Sequence, residues 1–308
     1  MNAVPHLGAA TALDLGVRVL ALALIHNAAQ IIASRADFEP GGALDARLVR
    51  LRAANALDRT YRRIVGRTVP PARLALPTAA VQIAGALVLL PFPRMWPVLL
   101  VLWLAEVVNQ PLLRPGLDGG DEMLRVVTVV MFLRALTGEA VAQQAAAAFL
   151  AFLLCLAYAV SGLSKGQSIM WWSGSGLRGV LSTQYFGVTA VGRLLDRGTR
   201  LAQVLAWTTL LGESLFFVCV LAGPRATLVG LAWAFGFHLA CGVVMGLDGF
   251  TLPFAASFPC AIWASGWLAA HLPGEVRLLA GAVLVCAVVA WLAHWRSAEL
   301  VRHPSSAR

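Results

Sequence analysis

Residues 140–165 read AVAQQAAAAFLAFLLCLAYAVSGLSK. The 25 positions from 140 to 164 carry no charged side chain. A helix that crosses the hydrocarbon core of a bilayer needs about 20 mostly apolar residues. The stretch therefore predicts a transmembrane helix over 140–163, with Lys165 just beyond its end.

Working outward, eight further apolar runs flank this one. They cover 11–34, 74–91, 95–113 and 123–136 on the N-terminal side, then 201–221, 225–247, 250–272 and 276–295. The run at 140–163 is the fifth of nine. Hydrophobic residues make up 59% of the chain and charged residues 13%, against about 25% charged in soluble domains. Mean hydropathy is +0.76. The reading is an all-α, polytopic transmembrane helical bundle of about nine spans, with residues 1–308 forming one membrane domain. The N-terminus lacks the basic segment of a signal peptide, so the first run is expected to stay as a span.

Net charge is +9, but the cations sit between apolar runs rather than on a basic-aromatic platform. This excludes nucleic acid as a partner and makes the lipid bilayer the expected one. The connection 35–73 holds Arg47, Arg50, Arg52, Arg59, Arg62, Arg63, Arg67 and Arg73, and reads as a basic surface segment lying on the membrane. With nine spans, this cluster shares a side with Arg114, Arg193, Arg197, Arg200, Arg296, Arg302 and Arg308. The opposite side carries Arg94, Arg134, Arg225 and Arg277. The positive-inside rule then gives a multi-pass protein of the cell membrane with a cytoplasmic C-terminus. The five cysteines lie in or beside apolar runs with no CxxC spacing. They read as free thiols, with no metal site.

Charged and polar residues inside spans need partners or a function. Asp14 and Arg18 are four apart and placed for an intrahelical pair. Glu106 and Asn109 end the third run, followed by Asp118, Asp121 and Glu122, a group readable as solvated loop charge or as a cation site. Glu213 and His238 sit within the sixth and seventh runs. Of the 24 Lys and Arg residues one is lysine, Lys165, leaving 23 arginines. Arginine does not lose its proton in proteins, whereas a desolvated lysine does. A site that needs a neutral amine must therefore keep lysine. A solitary lysine snorkelling to the interface is the alternative.

The stretch around Lys165 resembles the core signature of the HTTM family, the membrane domain shared with vitamin K-dependent gamma-glutamyl carboxylase. Tyr158, Gly162, Lys165, Trp171 (with Trp172 beside it) and Gly174 match the family's aromatic, Gly, Lys, Trp and Gly. Phe237-His238, followed by Phe250 and Pro259, forms a second match, and Asn109 before the Gly119-Gly120-Asp121 turn a third. The resemblance implies that Lys165 is a catalytic base with His238 in support. It also implies a reduced quinone of the vitamin K type as cofactor, and proton abstraction from a peptide followed by carboxylation. The compact length is closer to an SdpB-like bacterial branch, which implies maturation of a secreted peptide precursor together with a small partner protein. Two other readings stand beside it. One is a non-enzymatic export, immunity or partner-binding protein. The other is a small-solute transporter using Glu213, His238 and Asp14, although the sequence displays neither a broken-helix pair nor an inverted repeat.

Overall fold

The computed structural model describes residues 7–42, 44, 71–113, 119–183 and 188–302, and all regular structure among them is helical. In chain order the helices are α1 (Ala9–Ala33), α2 (Pro71–Leu89), α3 (Trp96–Leu113), α4 (Gly119–Thr137), α5 (Ala140–Gly166), α6 (Ile169–Trp172), α7 (Ser175–Leu181), α8 (Thr189–Arg197), α9 (Thr199–Ser214), α10 (Phe216–Ala222), α11 (Pro224–Met245), α12 (Thr251–Ala255), α13 (Phe258–His271) and α14 (Gly274–Arg302). Of the basic segment expected at 35–73, positions 43 and 45–70 lie outside the described residues. So do Arg114, Asp118 and Arg308.

Each of the nine apolar runs lies on helix, but they are not equivalent. Five stretches are long and apolar enough to cross a membrane: Ala9–Ala33, Ala140–Gly166, Pro224–Met245, Asp248–His271 and Gly274–Trp295. A sixth, formed by α9 and α10, passes only as a pair bent by 50°. The apolar parts of α2 and α3, Arg73–Leu89 and Trp96–Asn109, are shorter. Helix α4 carries Asp121, Glu122, Arg125 and Arg134, which dilute its apolar character. This is the helical content of a membrane protein, with five or six spans supported by length and composition.

The described residues form two compact units. The first comprises residues 10–146 and 252–259. Helix α1 buries Leu13, Val17, Leu20, Leu24, Asn27 and Ile31, steps of three and four that keep one face inward. Lipid tails are as apolar as leucine, so close packing and polar pairing hold such helices together rather than transfer from water.

The polar pairing departs from the local expectation. Asp14 does not pair with Arg18. Its carboxylate receives Arg94 Nη2 at 2.7 Å and Arg134 Nη1 at 2.9 Å, while Arg18 Nε donates to Leu90 O at 3.1 Å. An exposed i,i+4 pair gains only a few tenths of a kcal/mol. The Arg134 side chain is 0% exposed, and a buried cation without a counter-charge costs far more. Asp14 therefore goes to Arg134, which also donates to Pro93 O and Gln143 Oε1, each at 3.2 Å.

The second unit comprises residues up to 9, 147–251 and 260 onward. It holds most of α5, the short helices α6–α8, and α9, α10, α11 and α14. The break between α9 and α10 corrects the expectation that no span is broken. Leu215 has φ −112° and ψ 8°, outside the helical basin. It follows Gly212-Glu213-Ser214, and kinks concentrate at such Gly and Ser positions.

Candidate functional site

The site grows from one face of α5. Tyr158, Ser161, Gly162 and Lys165 stack along it at helical intervals, and α9 and α11 supply the opposing side chains. Gly162 is what lets α9 come close: a Cβ built there would collide with the backbone nitrogen and hydroxyl of Ser214. Small residues at such crossings are how membrane helices bring their backbones together. With α9 seated on Gly162, Glu213 faces Lys165 one turn further along α5.

Lys165 lies in the last turn of α5, which continues to Gly166, rather than beyond the span. Its Nζ donates to Glu213 Oε2 at 2.6 Å and to Ser161 Oγ at 2.6 Å. Ser161 also hydrogen-bonds the Glu213 carboxylate. The Glu213 side chain is 4% exposed and that of Lys165 is 21% exposed, so the amine is the accessible member of the pair. An ammonium has three N–H donors. Two are taken, and the Trp171 ring lies 5.5 Å from Nζ. The pair also sits at the C-terminal end of α9, where the helix dipole favours a cation.

A second pair adjoins the first. Tyr158 Oη and His238 Nε2 are 2.8 Å apart, and both residues are buried. Aromatic rings enclose them. Phe216 lies 4.6 Å from the Tyr158 ring, and Phe250 stacks on His238 at 5.9 Å and 15°. Phe237 stacks on Trp233 at 5.4 Å and 5°. His238 feels the charge of Lys165, and Tyr158 that of Glu213, so the two pairs share one electrostatic environment.

The remaining motif residues build the floor. Trp172 Nε1 donates to Gly166 O at 3.0 Å, and the Trp172 carbonyl accepts from Trp207 Nε1 at 2.9 Å and Gln203 Nε2 at 3.3 Å. Gly174 has φ +76°, and a Cβ there would meet Gln203 N at 2.6 Å. Both the left-handed backbone and the close approach demand glycine.

Of the residues expected from sequence, the structure brings together Lys165, Glu213, Tyr158, His238, Phe237, Gly162, Trp171, Trp172 and Gly174. Asn109 and Asp121 are not among them. They belong to the first unit, as does Pro259, and Asn109 Oδ1 accepts from Thr78 Oγ1 at 2.6 Å. The resemblance had left Ser161 without a role, yet its place four residues before Lys165 on a helix was signal enough. Glu213 stood out only as a mid-span charge. Among the described residues no group of three or more His, Cys, Asp or Glu is arranged to hold a metal ion.

Compared with known proteins, the chain matches no family model, no curated protein and no solved structure.

Proposed function

We propose that this is a multi-pass protein of the cell membrane that covalently modifies or matures a secreted peptide, with Lys165 as base. The observation that carries the reading is the Lys165–Glu213 contact at 2.6 Å, made by the chain's single lysine at the end of an apolar helix. In a site of low dielectric a separated ion pair is costly. Passing one proton from Nζ to Glu213 Oε2 leaves a neutral amine beside a neutral acid. The amine then accepts a proton from the bound substrate, and Glu213 releases its own to reset the pair. Ser161 holds Nζ in line during the transfer. His238 and Tyr158 form the supporting wall.

The resemblance to the HTTM scaffold, with its nine spans and SdpB-like branch, is consistent with this chemistry. A peptide precursor and a small partner protein are the expected partners. The surroundings of Lys165 also fit a reduced quinone: Trp171 offers a ring face and Nζ a polar contact. Such a quinol, when bound, would supply an ionisable hydroxyl whose proton the Lys165 amine could take.

The test is the mass of secreted peptides from cells with and without the protein. Lys165→Ala and Lys165→Arg are both expected to abolish a protein-dependent mass shift while the protein still inserts. Full activity of Lys165→Arg rejects the neutral amine.

The 50° bend beside Glu213 favours a second reading, passage of a small solute along Glu213 and His238, since broken helices line many transporter sites. Solute- or proton-flux in proteoliposomes that is lost in Glu213→Gln, with no peptide mass shift in cells, selects it.

A further inference from the structure

The first unit contains a second buried polar cluster that the Lys165 chemistry does not use. Gln82 on α2 is 0% exposed, and Glu106 and Asn109 on α3 are 4% and 2% exposed. Helix α3 packs against both α2 and α4. The side chain bonded to the Glu106 carboxyl is the Gln82 amide, through Nε2. The charged groups acting on Glu106 are Asp121 and Arg125, both on α4. Arg125 Nη2 lies 2.5 Å from Glu122 Oε1 and acts on Glu106 through charge alone, and Asp121 has the same sign as Glu106. Among the described residues, no cation is bonded to Glu106.

We propose that Glu106 is a proton-binding site, with Gln82 as a partner able to serve both its ionised and its neutral form. A carboxylate held away from water without a bonded cation is strongly disfavoured, and such groups take up a proton instead. Gln82 Oε1 is buried and has no hydrogen-bond partner, so nothing else fixes which way the amide faces. With Nε2 toward Glu106 it donates to the carboxylate. Turned by half a rotation it presents Oε1, which accepts from the acid O–H. The two orientations are equivalent in shape. Asn109, three residues after Glu106, adds a second buried group without a partner, Nδ2. The ligand is a proton rather than a metal cation. Hard cations need several converging oxygens, and among the described residues no group of three or more His, Cys, Asp or Glu is arranged to hold one.

The experiment uses the full-length protein in proteoliposomes treated with dicyclohexylcarbodiimide across a pH series. This apolar reagent adds to protonated carboxyls and leaves a stable adduct, read by mass spectrometry of the Glu106 peptide. The expected result is an adduct on Glu106 at acidic pH that falls at least about tenfold on the alkaline side, the change that one pH unit brings to a titrating group. Glu106→Gln removes it. Gln82→Leu takes away the donor that stabilises the ionised form and carries labelling about one pH unit higher. No adduct on the wild-type peptide, or an adduct unchanged across the series, overturns the proposal. The readout is a mass on Glu106 itself, so it stands or falls independently of Lys165.

Discussion

Lys165 and Glu213 act as a unit, and the energetic consequence is non-additive. Removing the lysine leaves a carboxylate that is 4% exposed without its counter-charge, and breaking a buried pair from one side costs about 3–5 kcal/mol. Replacing both partners with apolar residues of similar volume removes the desolvation cost along with the attraction. Lys165→Met is therefore expected to destabilise the protein by about 3 kcal/mol, while Lys165→Met combined with Glu213→Leu loses less than that single change. Unfolding of the purified protein in micelles, compared across the four members of the cycle, measures the difference. A double variant less stable than either single variant would mean that Ser161 compensates Glu213 without the lysine.

At the scale of helices, the contact between α5 and α9 depends on Gly162. Gly162→Ala forces a methyl group against the Ser214 backbone. Overpacking of this kind costs about 1–3 kcal/mol, and it draws Glu213 away from Lys165. Gly236 on α11 is the matched control, because a Cβ there meets nothing within 4 Å. Gly236→Ala is expected to be neutral or to stabilise by up to about 1 kcal/mol through helix propensity. Thermal unfolding of both variants distinguishes a crossing-specific effect from a general one. The same helices mark how far the sequence could be read. Apolar length and the Tyr158, Gly162 and Lys165 motif are local properties, carried by residues within about two turns of each other, and both were legible; that they share one face with Ser161 emerged with the helix. The partners of Asp14 lie 80 and 120 positions away, and Gln82 lies 24 from Glu106. Such pairs are chosen by helix packing, which periodicity does not encode. The bend after Ser214 was hidden for a related reason: an uninterrupted apolar run from 201 to 221 has the composition of a straight span.

For the molecule as a whole, the open question is the direction in which the Lys165 site faces, and α11 provides the ruler. Its 22 residues rise about 33 Å at 1.5 Å each, close to the roughly 30 Å of bilayer hydrocarbon. If α11 crosses the bilayer, Arg225 at its start and Asp248 just past its end are expected on opposite sides of the membrane. The Lys165 end of α5 belongs with Asp248, because Val244 and Met245 pack with Leu177, Leu181, Leu195 and Ala202, the residues that follow α5. The arginines at 193, 197 and 200 lie at this same end, so the positive-inside rule predicts that it faces the cytoplasm. In a cysteine-free background, Arg225→Cys is expected to react with a membrane-impermeant maleimide in intact cells, and Asp248→Cys only after permeabilisation. The reverse pattern would turn the molecule over and expose Lys165 to the outside. A base working on a secreted peptide would then meet its substrate after export, whereas the expected pattern requires the chemistry to precede it.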